Sequence, residues 1–156
     1  QPPFEERTNL MIDTKTAPYA ALVLRVSLGV MFIAHSLYLK VMVFTIPGTV
    51  QFFESIGLPG FSAYLVIAAE AIGGIALVLG IYTRPVALAL VPVLLGALWV
   101  HSGNGWLFTA KGGGWEYPLF LAVAAIVQAL LGDGALAMKK PAHLPVVNNT
   151  AQTEAA

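Results

Sequence analysis

Hydrophobic residues dominate four long stretches of this chain, and short polar or glycine- and proline-rich segments separate them. A helix that crosses the apolar core of a bilayer, about 30 Å, needs roughly 20 residues. Each stretch reaches or nearly reaches that length. They are about Pro18–Phe44, Phe61–Tyr82, Pro85–His101 and Trp115–Leu131. The pattern predicts an all-α integral membrane protein, a four-helix bundle with its membrane domain at residues 17–138.

The segments outside the four spans have different patterns. Between the first two spans, Pro47–Gly60 mixes apolar residues with Gln51 and Glu54, which predicts a short helix at the membrane interface. The first apolar stretch is much longer than a signal-peptide core, so we expect it to be retained after an N-terminal segment of residues 1–16. Residues 139–156 are polar and aperiodic, which predicts a disordered tail.

The distribution of basic residues predicts the orientation of the spans, because cytoplasmic loops are enriched in Lys and Arg. One side of the predicted membrane domain carries Arg7, Lys15, Arg84, Lys139 and Lys140, and the other carries Lys111 with Lys40 near its border. The N- and C-termini are therefore both expected in the cytoplasm. Trp99, Trp106 and Trp115 then gather at the outer interface, where an indole ring is favourable.

Composition narrows the possible partners. The sequence is 58% hydrophobic and 10% charged, and its 8 basic and 8 acidic residues balance. A lipid bilayer is thus the expected environment, and no nucleic-acid partner is expected because the chain lacks a basic surface. With no cysteine, the chain offers no thiolate for a cluster or a covalent cofactor, so any redox chemistry must belong to a bound molecule.

Two charged residues fall inside the predicted spans, where ionisable groups are costly and often functional. Arg25 lies about 10 Å from the cytoplasmic end of the first span, and Glu70 lies near the middle of the second. Their depths differ by about one or two helical turns, so we expect an Arg25–Glu70 ion pair. Such a pair can be purely structural, because each charge neutralises the cost of burying the other.

A second group of titratable residues falls at the outer ends of the spans. It consists of His35, Lys40, His101 and Glu116. Groups at one depth can form a proton-handling or ligand-binding layer, although a histidine near a membrane end is often an interfacial hydrogen-bonding residue. The histidines and the glutamate share no local ligand spacing, so no metal site is expected.

Several short motifs occur together in a specific order. They are Leu24-Arg25 with Leu28-Gly29, His35-Ser36 with Lys40, Gly57-Leu58-Pro59, Glu70-Ala71-Ile72-Gly73-Gly74, Leu79-Gly80 with Thr83-Arg84, and Gly114-Trp115-Glu116-Tyr117-Pro118. In the order and spacing of these motifs, the chain between Leu24 and Leu136 resembles the DoxX family of bacterial inner-membrane proteins. The family often has His-Gly where this chain has His35-Ser36, and the serine is expected to narrow the space near His35.

The resemblance implies a four-helix protein of the bacterial cytoplasmic (inner) membrane that associates with redox partners. A related membrane subunit, DoxD, belongs to a thiosulfate:quinone oxidoreductase, which raises quinone binding as a hypothesis. The candidate quinone- or proton-handling residues are then Arg25, His35, Lys40, Glu70, His101 and Glu116. The alternative is a non-catalytic accessory subunit packed on a larger respiratory or photosynthetic assembly. A small transporter is less favoured, because the spans show no inverted repeat.

Overall fold

The chain folds into helices connected by short turns and one longer loop. The computed structural model describes residues 12–138. In that range the helices are α1 (Ala17–Ile33), which continues as a π-helix (Ala34–Val43, the π segment), α2 (Ile46–Ser55), α3 (Phe61–Leu79), α4 (Thr83–His101), which continues as a 3₁₀-helix (Ser102–Asn104), and α5 (Glu116–Leu131). The predicted all-α fold is confirmed. The predicted disordered tail and most of the predicted N-terminal segment lie outside the described residues.

Within residues 12–138, three helical segments are long and apolar enough to cross a membrane, judged by length and composition. They are Ala17–Val43, Phe61–Leu79 and Thr83–Asn104. The fourth apolar helix, α5, has 16 residues and is therefore about 24 Å long. All four lie close to the predicted spans, and α2 lies where a short helix was predicted between the first two.

The four long helices alternate in direction, which gives the bundle two ends. At the proximal end, α1 and α4 begin and α3 and α5 end; the distal end holds the π segment, α2 and the loop of residues 102–115. Residues 132–138 fold across the proximal end. There, the backbone N–H of Ala135 donates to the carbonyl of Pro18 (2.9 Å) and that of Met138 donates to the carbonyl of Leu79 (3.1 Å).

Local backbone chemistry explains where two of the helices start and stop. Before α1, the Asp13 carboxylate accepts hydrogen bonds from the backbone N–H groups of Lys15 (2.9 Å) and Thr16 (3.3 Å), and these bonds lower the pKa of Asp13. At the end of α3, Gly80 has φ 71° and donates its backbone N–H to carbonyls of the last turn. Glycine adopts this left-handed conformation without a Cβ clash, so it is a favourable helix terminator.

Glycines allow α1 and α3 to approach closely. A Cβ placed on Gly29 would lie 2.6 Å from the carbonyl oxygen of Gly74, and one placed on Gly74 would lie 2.8 Å from that of Gly29. Both residues are buried. Close backbone contact between small residues is a main source of helix association in lipid, where the hydrophobic effect between helices is lost.

We expect Gly74→Ala to destabilise the protein by about 1–3 kcal/mol, because the added methyl group meets backbone atoms that cannot move aside. Gly96→Ala is the matched control, since nothing lies within 4 Å of a Cβ at that position in α4. The control should be neutral or stabilising, by up to about 1 kcal/mol, because alanine favours helix over glycine. Thermal unfolding of both variants in detergent micelles checks this, and equal effects would contradict the close-packing argument.

Candidate functional site

Arg25 joins three parts of the proximal end. Its side chain is fully buried. One guanidinium nitrogen, Nη1, donates to the carbonyls of Leu77 (2.9 Å) and Val78 (3.0 Å), and Nη2 donates to the carbonyl of Ala135 (3.0 Å). Leu77 and Val78 lie in the last turn of α3, where the helix dipole places partial negative charge. Arg25 therefore caps α3 and ties it to α1 and to the segment that follows α5.

The predicted Arg25–Glu70 pair is wrong. Glu70 instead pairs with Lys40, whose Nζ lies 2.7 Å from the Glu70 Oε2. Leu77, a partner of Arg25, lies two helical turns beyond Glu70, which is about 10 Å along α3. The guanidinium finds carbonyl acceptors nearer the proximal end, and the long Lys40 side chain reaches Glu70 from the distal side. The ion pair is mostly shielded, with 19% of the lysine and 8% of the glutamate side chain exposed.

The histidine of the π segment lies beside this ion pair. Lys40 Nζ also donates to the carbonyl of His35 (3.4 Å). The His35 Nδ1 lies 2.8 Å from the carbonyl oxygen of Met31. A carbonyl can only accept, so Nδ1 carries the hydrogen and Nε2 is the nitrogen available to a further partner. The His35 ring packs against the Tyr117 ring of α5, with 6.2 Å between ring centroids.

The π segment is fastened to its neighbours by hydroxyl groups. The buried Ser36 donates its Oγ–H to the carbonyl of Ile67 in α3 (2.7 Å). Thr49 of α2 donates to the carbonyl of Lys40 (2.9 Å). π-Helical stretches are rare and are often found at functional sites. Ser36 thus provides a hydrogen bond that fixes the segment carrying His35 and Lys40.

A groove of about 450 Å³ opens at the distal end, between the loop and one face of α5. Its lining residues are Trp106, Phe108, Glu116, Tyr117, Leu119, Phe120 and Val123. The Glu116 Oε1 accepts a hydrogen bond from the backbone N–H of Phe108 (2.9 Å), which holds the loop beside the helix. The Tyr117 hydroxyl donates to the sulfur of Met31 (3.3 Å). The groove is thus a mainly aromatic surface with a carboxylate and a phenol at one end.

The structure brings together only part of the predicted residue set. His35, Lys40 and Glu70 are in contact, and Tyr117 connects them to the groove that contains Glu116. Arg25 lies at the opposite end of the bundle.

His101 donates from Nδ1 to the carbonyl of Ala97 (2.7 Å), and in residues 12–138 no hydrogen bond or ion pair joins it to the others, so its convergence with them stays a prediction. Across the same residues, no three His, Asp or Glu side chains are grouped so that they could hold a metal ion.

Tyr117 is the residue of this site that sequence reasoning missed. The available signal was its place beside Glu116 in the first turn of the last apolar stretch. A tyrosine near the end of a span is, however, also typical of an interfacial anchor, so the position alone does not separate the two roles.

Comparison with known proteins gives two matches. The sequence profile of the DoxX family matches residues 20–103, which include His35, Lys40 and Glu70 but end before the groove residues of α5. A Bacillus subtilis (strain 168) protein named "Putative oxidoreductase CatD" is 36% identical over 124 residues, which cover 80% of this chain and 87% of that protein. No solved structure matches the chain significantly.

Proposed function

Because the chain belongs to the DoxX family, we propose that it is a membrane-spanning subunit of a redox complex that binds a quinone in the distal groove. The observation that carries this proposal is the division of the groove into an aromatic surface and a polar end with Glu116 and Tyr117. A quinone is divided in the same way, into a ring with two carbonyl oxygens and an apolar tail. The name of the similar B. subtilis protein, a putative oxidoreductase, agrees with a redox role.

The proposed setting is the bacterial inner membrane, crossed four times with both termini inside. The proximal end carries the exposed Lys15 and Arg84, and the distal loop carries Lys111. The tryptophans Trp106 and Trp115 pack edge to face at the distal end, with 4.4 Å between ring centroids. The short α5 fits a four-span topology if the bilayer thins locally, which costs only a fraction of a kcal/mol per Å.

This topology predicts the location of fused reporter domains. Reporters placed after Lys140 and before Lys15 are expected in the cytoplasm, because the proximal end holds the basic residues. A reporter inserted between Gly103 and Gly113 is expected outside. Paired fusions to alkaline phosphatase, active only when exported, and to a fluorescent protein, active only inside, measure this. An exported C-terminus together with a cytoplasmic N-terminus would rule out four spans.

Each polar group has a proposed role. In the proposed complex, the Tyr117 hydroxyl leaves the Met31 sulfur and donates a hydrogen bond to a carbonyl oxygen of the quinone ring. The second oxygen of Glu116 is available to a ligand while Oε1 holds Phe108. The Tyr117 ring lies against the His35 ring, and the backbone carbonyl of His35 accepts a hydrogen bond from Lys40. We assign protonation of the bound quinone to the titratable groups of this region, the His35 imidazole and the Lys40–Glu70 pair.

The proposed source of the electrons is another protein. Reduction of a quinone to a quinol takes up two electrons and two protons. This chain has no cysteine and therefore supplies no thiolate ligand for an iron–sulfur centre. We therefore assign the electrons to a partner redox protein with its own electron-transfer cofactor, and the binding and protonation to this subunit.

Filling the groove tests the binding site. We expect Val123→Trp to abolish binding of a short-tailed benzoquinone probe, because the larger ring occupies the groove. Leu130→Trp is the matched control, since Leu130 is an exposed residue of α5 outside the groove. Tyr117→Phe should weaken binding by roughly fivefold to tenfold, the effect of one lost hydrogen bond of about 1 kcal/mol.

Quenching of tryptophan fluorescence by the probe measures all three variants relative to the unmodified protein, in nanodiscs. The quenching signal for Val123→Trp is corrected with a non-binding quencher, because that variant adds an indole. Unchanged affinity in Val123→Trp would refute the groove and favour the alternative of an accessory subunit that packs on a larger assembly.

A further inference from the structure

Four buried polar atoms of the described chain have no hydrogen-bond partner, and all belong to the proximal end. They are Nε of Arg25, Oγ1 of Thr83, Oε1 of Gln128 and Oδ1 of Asp133. The side chains of Arg25, Thr83 and Gln128 are fully buried. A buried polar atom without a partner is unfavourable, and native proteins nearly always provide one. Four at one end of a bundle therefore require an explanation.

The contacts around these residues connect the elements that carry them. Gln128 donates from Nε2 to the carbonyl of Gly132 (2.8 Å), the residue before Asp133. A Cβ on Gly132 would lie 3.0 Å from Nε of Arg84, the neighbour of Thr83. These contacts link the beginning of α4 to the end of α5.

Arg25, which belongs to α1, contacts the segment that follows α5. It binds the carbonyl of Ala135, two residues after Asp133, and the Asp133 carboxylate acts electrostatically on its guanidinium. The four residues thus lie on elements that meet at the proximal end, and we name them the proximal cluster: Arg25, Thr83, Gln128 and Asp133.

The unpartnered atoms are complementary in their hydrogen-bonding capacity. The Arg25 Nε–H is a donor, the oxygens of Gln128 and Asp133 are acceptors, and the Thr83 hydroxyl can do both. The three oxygens alone would also suit a monovalent cation. The positive charge of Arg25 beside the same carboxylate disfavours a cation, whereas water can accept from the guanidinium and donate to the oxygens.

We propose that the proximal cluster is a binding site for internal water, with water molecules bridging Arg25 to the oxygens of Thr83, Gln128 and Asp133. Bound water would complete the hydrogen bonds at the junction of α1, α4, α5 and residues 132–138. It would also hold a hydrated carboxylate inside the end of the bundle opposite the groove. The proposal does not depend on quinone binding.

Replacing Thr83 by valine distinguishes a hydrated cluster from a dry one, because the melting temperature is expected to change in opposite directions. Valine has nearly the same shape as threonine but cannot bind water. In a hydrated cluster, Thr83→Val removes a water ligand and should lower the melting temperature by roughly 2–4 °C. In a dry cluster, the same change removes an unpartnered hydroxyl and should raise it. Thr109→Val in the exposed distal loop is the control and should leave the melting temperature unchanged.

Water-edited solid-state NMR of the unmodified protein in lipid bilayers gives a direct readout. We expect magnetisation to pass from water to the Arg25 Nε–H, and Arg84, which is exposed, provides the reference signal. Absence of this transfer, or a higher melting temperature for Thr83→Val, would overturn the proposal. Stabilisation by sodium chloride but not by choline chloride at equal ionic strength would also overturn it, in favour of a cation.

Discussion

Arg25→Ala is expected to be the most damaging single substitution in this protein, with a loss of about 3–5 kcal/mol. The change removes three charge-assisted hydrogen bonds at once, to the carbonyls of Leu77, Val78 and Ala135. Each such bond contributes about 1.5–3 kcal/mol, although contributions within one network do not add. The carbonyls are left without these donors in a buried place, and a cavity replaces the guanidinium.

Two other variants show which part of the effect is specific. Arg84→Ala is the matched control, because Arg84 lies at the same end of the bundle but is exposed; its effect should be within about 0.5 kcal/mol. Arg25→Lys should be intermediate, since an ammonium keeps the charge but lacks the planar fork that reaches α3 and Ala135 together. The yield of folded protein and its unfolding temperature in detergent measure all three. Similar losses for Arg84→Ala and Arg25→Ala would contradict the capping role.

The sequence pattern predicted a different partner for Arg25, and the reason is physical. The sequence positions of Arg25 and Glu70 correspond to roughly similar depths in the predicted spans. Opposite charges in lipid are expected to pair. The actual partners of Arg25 are backbone carbonyls, which every residue has and which no residue type reveals. Only the fold shows that α3 ends beside Arg25 and that residues 132–138 return to it.

The elements themselves were predictable to within a few residues. Each apolar stretch became a helix, because runs of this length with few charges suit the helical spans of a membrane protein. The π segment was not predicted, since nothing in the sequence pattern of residues 34–43 marks the change from α-helical to π-helical hydrogen bonding. This segment carries both His35 and Lys40. The local geometry of the candidate site therefore could not be predicted from the sequence pattern.

The second large effect concerns the Lys40–Glu70 pair. Lys40→Met is expected to cost about 2–4 kcal/mol, because it leaves the largely buried Glu70 without its cation. Glu70→Gln should be milder. The glutamine oxygen can still accept from Lys40, which is more exposed and keeps its contact with the carbonyl of His35.

The double variant tests whether the charges are coupled. Lys40→Met combined with Glu70→Gln should be no less stable than Lys40→Met alone, since it leaves no buried charge without a partner. Chemical or thermal unfolding of the single and double variants in the same detergent gives the coupling energy. Strictly additive losses would show that the 2.7 Å contact contributes little to stability.

Activity then separates a structural pair from a proton-handling one. Glu70→Gln keeps most of the shape and hydrogen bonding of Glu70 but can no longer gain or lose a proton. If the pair transfers protons to the groove, this variant in its assembled complex should bind the benzoquinone probe normally and lose most quinone-linked turnover. The Ser36→Ala variant is the control for disturbance of the π segment, because it removes the hydrogen bond to Ile67 and leaves every titratable group in place. If turnover per assembled complex is unchanged in Glu70→Gln, and total turnover falls only because less complex assembles, the pair contributes to folding alone.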